Sequence, residues 1–234
     1  MQGLSNREVI EIWERGDRLH PLDRALLVVA AAHPEMPGNA VADWALGRRN
    51  SALAELRSTM FGPLLNAWIG CPQCEEKLEF QIDTDSLVAD DDTEDNRPVV
   101  LNGRTFRLPT SRDLAVAIRE IDPANAPFRL LQNCYLGEDQ DRVWSDLELE
   151  EVGESMAAAD PLAETRLAFS CPNCGHNWDE TFDLLQFMWT EIDAAAKQTL
   201  RDVHTLASAY GWTEREILGL SWPRRAWYLS MVEQ

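Results

Sequence analysis

The sequence predicts a mainly helical α+β fold, and three observations carry that prediction. Stretches before residue 70, between 110 and 160, and after 184 repeat apolar residues at spacings of three and four, the helical period. Short stretches at 78–82, 166–170 and 178–182 alternate apolar with polar residues, the period of a half-buried strand. Two Cys-x-x-Cys motifs, Cys71-Pro72-Gln73-Cys74 and Cys171-Pro172-Asn173-Cys174, sit beside those alternating stretches and nowhere near a helix start.

Taken in order, Ser5 followed three residues later by Glu8 is a capping-box pattern that opens a helix near Asn6, with Ile10, Ile12 and Trp13 on its apolar side. Pro21 opens a second helix, whose Leu22, Leu26, Val29 and Ala30 share a stripe, and Pro34 with Pro37-Gly38 marks the loop beyond it. A third helical pattern covers residues 51–69 through Leu53, Leu56, Met60, Leu64 and Trp68, with Gly62-Pro63 as a kink. After Cys71, Leu78, Phe80 and Ile82 alternate with Lys77, Glu79, Gln81 and Asp83. An acidic loop follows, and then Asn102-Gly103 between two apolar runs, a hairpin signal because both residues tolerate positive φ. Helices are predicted at 110–121, 127–136 and 146–159, and strands at 166–170 and 178–182. One long helix covers 184–210, with Gly211 as its stop, and two short ones lie near 213–219 and 223–232.

Charge narrows the function classes. The 234 residues carry 40 acids against 21 bases, a formal net charge of −19, whereas a nucleic-acid binder needs clustered Lys and Arg to displace counterions. The acids cluster instead: Asp90, Asp91, Asp92, Glu94 and Asp95 form one block, and nine acids with a single base lie between Glu138 and Asp160. Both read as solvated surface. With 45% hydrophobic residues and nine tryptophans the chain has material for a core. No apolar run reaches the roughly 18 residues of a membrane span, and the start lacks a charged segment followed by an apolar one. The expectation is a soluble, cytoplasmic chain.

Cysteine placement carries the chemistry. In a reducing compartment paired Cys-x-x-Cys motifs point to metal before disulfide. Four thiolates, Cys71, Cys74, Cys171 and Cys174, fit one tetrahedral Zn²⁺, although the 96 residues between Cys74 and Cys171 far exceed the ~15–20 of a compact ribbon. The economical reading is a split zinc ribbon with a helical segment inserted. A redox pair or four unconnected thiols are the alternatives, but a redox Cys-x-x-Cys normally opens a helix. A closed four-cysteine shell leaves no position for water, so the zinc is expected to be structural. Gly175 suits the turn after Cys174, whereas Glu75 holds the matching place in the first motif and predicts a looser knuckle. His176 is expected on the knuckle surface, and Cys134, beside Leu130 and Leu131, as a buried small hydrophobe.

No catalytic set is present: there is no Gly-rich phosphate loop, no HExxH and no GxSxG, and the four histidines read as caps or surface residues. No small-molecule substrate is indicated. The C-terminal segment 211–234 carries three acids and three bases and a nearly all-round apolar helix from Pro223. Trp, Tyr and Arg are common interface anchors, so Trp222, Arg224, Arg225, Trp227 and Tyr228 are the candidate partner-binding residues.

Five blocks in order carry a resemblance: His20-Pro21-Leu22-Asp23-Arg24-Ala25-Leu26-Leu27; the CPQC motif; Arg107-Leu108-Pro109-Thr110-Ser111-Arg112-Asp113-Leu114; the CPNCGH motif; and the C-terminal Gly-Trp-Thr-Glu-Arg-Glu-Ile-Leu with Arg-Arg-Ala-Trp-Tyr-Leu. With them the chain resembles the zinc-knuckle-containing baseplate proteins of bacteriophages with contractile tails and of related contractile injection systems. The resemblance implies a non-enzymatic structural or assembly protein that binds other baseplate or tail proteins, with the cysteines as knuckle ligands, in the cytoplasm or within the assembled particle. The alternative is a zinc-ribbon module for nucleic acid or transcription machinery, which the acids Glu75, Glu76, Glu79, Asp179 and Glu180 beside the motifs oppose; a metal-dependent hydrolase would need an open ligand position. The expected organisation is a helical region at 1–70, ribbon halves at 71–109 and 166–183, a helical insertion at 110–165 and a helical region at 184–234.

Overall fold

A computed structural model describes residues 3–89, 97–139 and 142–232. The fold is mainly helical α+β, as the sequence predicts. Helices α1 (Asn6–Gly16), α2 (Pro21–Ala32) and α3 (Leu46–Phe61) come first, followed by strands β1 (Leu64–Gly70) and β2 (Lys77–Asp83). A short hairpin, β3 (Val99–Leu101) and β4 (Arg104–Phe106), leads to α4 (Ser111–Ala117), α5 (Ala126–Cys134) and α6 (Asp146–Ala159). Strands β5 (Thr165–Ser170) and β6 (Asn177–Phe182) then precede α7 (Leu184–Tyr210), α8 (Glu214–Leu218) and α9 (Trp222–Val232). Among the described residues the strands form three separate two-stranded antiparallel sheets.

Local chemistry explains most boundaries. At α1 the Ser5 hydroxyl accepts from the Glu8 amide while the Glu8 carboxylate accepts from the Ser5 amide, a reciprocal cap that satisfies two otherwise orphaned donors. The same box opens α6 with Ser145 and Glu148, and α8 with Thr213 and Glu216. The His20 ring accepts from the Leu22 amide at α2, the capping role its place before Pro21 indicates. Asn102 and Gly103 take φ of 51° and 75°, as a hairpin turn between β3 and β4 requires.

One element differs from its prediction. The helical pattern at 51–69 is broken at Gly62, whose φ of 87° a helix cannot accommodate, and residues from Leu64 onward form a strand. The spacing of Leu53, Leu56, Met60, Leu64 and Trp68 continues through the break by coincidence. The strand's own alternation, Leu65 buried and Ala67 and Ile69 half-buried against exposed Leu64, Asn66 and Trp68, is the signal that decides. The first ribbon half therefore starts at Leu64, pairing Leu64 with Asp83 through Gly70 with Lys77.

Among the described residues burial divides into three clusters. The largest packs α1, α2, α3 and the first half of α7, and draws in Leu65, Ile82 and Phe182 from the ribbon strands. The second joins the β3–β4 hairpin to the inserted helices through Val99, Phe106, Leu108, Leu131, Trp144 and Val152. The hairpin assigned to the ribbon by the sequence reading thus packs with the insertion. The third gathers Val203, Leu206 and Ile217 with Trp212, Tyr228 and Leu229 around the end of α7. With 27 residues, about 40 Å at 1.5 Å per residue, α7 spans the first and third clusters.

The insertion is tied at both ends to the start of α3. The Leu46 amide donates to the Pro109 carbonyl and the Gly47 amide to the Asp160 carboxylate. Asn50 donates to the carbonyls of Leu162 and Ala163. Among the described residues no helix is long and apolar enough to cross a membrane.

Candidate metal centre

Each Cys-x-x-Cys motif is the turn of a two-stranded hairpin, one joining β1 to β2 and the other β5 to β6. The hairpins repeat at an offset of 100 residues, down to the hydrogen bonds of the turn. The Cys71 amide donates to the Glu76 carbonyl at 2.8 Å and the Glu75 amide to the Cys71 carbonyl at 2.9 Å. In the second turn the Cys171 amide donates to the His176 carbonyl and the Gly175 amide to the Cys171 carbonyl, both at 2.9 Å. Glu75 takes a φ of 61° and Gly175 one of 72°. Glu75 therefore adopts the left-handed conformation that Gly175 reaches freely, so the first knuckle is strained rather than looser. At the end of β2 and just after β6, Asp83 and Asp183 each turn a carboxylate onto a following amide, of Asp85 and Gln186 respectively.

The two turns bring their thiols together. Cys71 Sγ lies 3.7 Å from Cys174 Sγ, and Cys74 Sγ lies 3.6 Å from Cys171 Sγ. All four sulfurs lie within 4.8 Å of one another and could hold a metal ion. None is in a disulfide. Metal–sulfur bonds of ~2.3 Å in tetrahedral geometry place sulfurs about 3.8 Å apart, so the donor set fits a single tetrahedral ion. Such S₄ geometry suits zinc or an iron–sulfur centre. Cys71 and Cys171 are buried, whereas Cys74 is half-buried and Cys174 exposed.

The surroundings favour thiolate on one side. The Glu76 amide and then the Asn173 side chain, 3.6 Å away, donate to Cys74 and draw its pKa down to about 7. At Cys174 the His176 amide favours the thiolate, but local desolvation of the sulfur and its contacts with the other three sulfurs prevail and push it up to about 12. Four thiols this close cannot all ionise without a cation among them. Asn173 was not among the residues expected here; its signal is its place inside the motif.

Packing holds the two hairpins in register. Phe80 of β2 meets Phe169 of β5 edge-on at 5.1 Å, and Phe169 stacks on Trp178 at 5.4 Å. His176 stacks on Trp178 at 5.8 Å and stands outside the cysteine cluster, as expected of a knuckle-surface residue. Glu75, Glu76, Glu79, Asp179 and Glu180 are all exposed around the turns, and the one nearby base, Lys77, lies over the Trp68 ring. Cys134 is fully buried in the insertion, and burial pushes its thiol up to about 12, so it packs as a small apolar side chain. His33 packs edge-on against Trp44 and bonds Glu35, and His204 is exposed.

The candidate partner-binding residues separate on α9. Trp222 and Trp227 are 61% and 69% exposed, and Arg224 is exposed beside them. Arg225 corrects the sequence reading: it is 2% exposed, with Nε 3.5 Å from the carboxylate of Asp202 on α7. The Asn6 amide, with its oxygen toward the guanidinium, accepts from both terminal nitrogens. Trp227, two residues beyond Arg225, points to the opposite face of the helix, whereas Trp222, one turn before it, lies on the same side with its ring over the guanidinium at 5.4 Å, an assignment that composition alone could not make. Tyr228 is half-buried, packed on Trp212 at 4.9 Å and near Tyr210. No protein-family model, curated protein or solved structure matches the chain.

Proposed function

We propose that the four cysteines hold one structural zinc ion, and that the protein is a non-enzymatic structural or assembly component of a contractile, phage-tail-like baseplate or injection machine. The observation that carries the metal reading is the convergence of four sulfurs, from hairpins 100 residues apart in the chain, at the spacing of one tetrahedral ion. Zinc, when bound, supplies a rigid four-way crosslink and no open position for water or substrate. Cys71, Cys74, Cys171 and Cys174 would hold it, and the knuckle amides and Asn173 would steady their charge. The hairpins gain from such a staple because two-stranded sheets are marginal on their own.

The assignment to a tail machine rests on the sequence blocks that resemble the baseplate family. The exposed Trp222 and Trp227, on a helix anchored from beneath by Arg225, support binding to another protein. The ring of acids around the knuckles weighs against a phosphate-binding ribbon.

The test is metal content with native mass on the wild type and on Cys171→Ser. One zinc per chain, lost with the folded signal in the variant, supports the staple. Iron in place of zinc, or metal retained by the variant, overturns it. The partner reading is tested by capture of tail proteins with the wild type and with Trp222→Ser/Trp227→Ser. Retention of tail proteins by the wild type alone is expected, and equal retention overturns the role of α9.

A further inference from the structure

A cavity of 310 Å³ opens where α2, α3, α4 and the start of α7 converge beside β6. Its walls are largely apolar, with Leu87, Leu114, Ile118, Leu162 and Leu185 among them, and its polar lining includes Arg49 and Asn50. The Arg49 side chain is half-buried and held by neutral groups. Its Nε and Nη2 donate to the Asn50 side-chain oxygen at 3.1 and 2.8 Å, and its Nη1 donates to the Ser111 hydroxyl at 3.0 Å. Asn50 is in turn fixed by the carbonyls of Leu162 and Ala163. A guanidinium has five N–H donors, and among the described residues three are engaged, which leaves two.

Among the described residues no carboxylate pairs directly with Arg49. Burial pulls its pKa below the ordinary value, and the charges of Asp183 and Asp160 offset that only in part. A desolvated cation with donors to spare is an arrangement that takes a carboxylate. The first turns of α2 and α7, through Pro21 and Leu22 and through Leu184, also border the space, and helix N-termini add positive potential. The opposing charges are Glu164 and Asp183, which line the same cavity. Each is already engaged, Glu164 by the Thr181 hydroxyl and Asp183 by the Gln186 amide. Their negative charge disfavours a doubly charged phosphate and leaves a singly charged carboxylate. A volume of 310 Å³ lies at the small end of ligand pockets, room for a short aliphatic group.

We infer that this cavity is a binding site for an aliphatic carboxylate, its carboxylate paired with Arg49 and its apolar body against the leucine and isoleucine walls. Such a ligand would sit between the insertion and the main core. It is either a free branched-chain acid or the C-terminal residue of a peptide, and both present the same chemistry.

Isothermal titration calorimetry on the full chain, purified with its metal, tests this with 4-methylpentanoate and N-acetyl-Ala-Leu, each against its amide. Saturable binding of either carboxylate, with its amide at least about tenfold weaker, is expected, and Arg49→Met should weaken it roughly 10- to 100-fold. Binding of the acid alone identifies a small molecule, and tighter binding of the peptide identifies a chain terminus; both uphold the site. No heat with either probe at about 10 mM, or amides that bind as tightly, overturns it. The amide comparison uses wild-type protein and so decides even if Arg49→Met fails to fold.

Discussion

Arg225 offers the sharpest test of how the C-terminal helix is held. It and Asp202 are 2% and 4% exposed, so neither charge is compensated by bulk water. Removing one partner of a buried pair leaves the other charged in a poor solvent, at about 3–5 kcal/mol, whereas replacing both with apolar groups is close to neutral or stabilising. Asp202 would retain only the Gln198 side chain, which donates to it at 2.8 Å. Arg225→Met should therefore lower the melting temperature by roughly 6–20 °C, taking ~2–4 °C per kcal/mol for a chain of this size. Asp202→Leu alone should also destabilise, because it removes the guanidinium's charged partner and leaves it the Asn6 oxygen and the Trp222 ring. The double variant should recover most of the loss. Differential scanning calorimetry on all four proteins gives the cycle directly, and hydrogen exchange locates the change at 222–232. An unaltered melting temperature in Arg225→Met, or a double variant as unstable as the two losses added, would refute the buried tie. The sequence reading of Arg225 as a surface anchor would then be restored.

Three further outcomes follow from the geometry. Glu75→Gly should relieve the left-handed strain of the first knuckle and stabilise the chain by about 0.5–1 kcal/mol, with Gly175→Ala destabilising by a similar amount; thermal melts of the two variants beside the wild type report both. Phe106→Ala, which empties a fully buried site against Tyr135 and Trp144, should cost about 3–5 kcal/mol and loosen the insertion while metal content stays constant, because the insertion core is separate from the ribbon. Glu148 is held down to about 2 by the Ser145 amide first and then by Arg142 and the Ser145 hydroxyl. Its contribution to the α6 cap is complete above the ordinary 4.5 and disappears as pH falls through about 2. The Trp144 indole resonance should follow that window in the wild type and lose the dependence in Glu148→Gln.

Local signals in this chain were readable wherever chemistry and period agreed. The capping box at Ser5, the Asn102-Gly103 turn and the α7 stop at Gly211 depend on residues within a few positions of one another, and the structure bears them out where the sequence placed them, while the boxes at Ser145 and Thr213 carry the same short-range pattern and emerge with the structure. The strand at Leu64–Gly70 was misread because its apolar residues extend the spacing of α3 across Gly62. The acidic block at Asp90–Asp95 lies outside the described residues.

By itself the sequence determined the fold class, the long helix α7, and the four thiols as the place where chemistry concentrates, because residue type and short-range spacing are properties of the linear chain. Only the tertiary structure decided that two hairpins 100 residues apart put their sulfurs 3.6–3.7 Å from one another across the hairpin boundary. It likewise decided that Asn102-Gly103 serves the insertion, that Arg225 faces inward while Trp222 and Trp227 face out, and that Arg49 stands in a cavity with donors to spare. Each of these depends on which surface a neighbouring element covers, and burial is a property of the packed molecule rather than of any one segment.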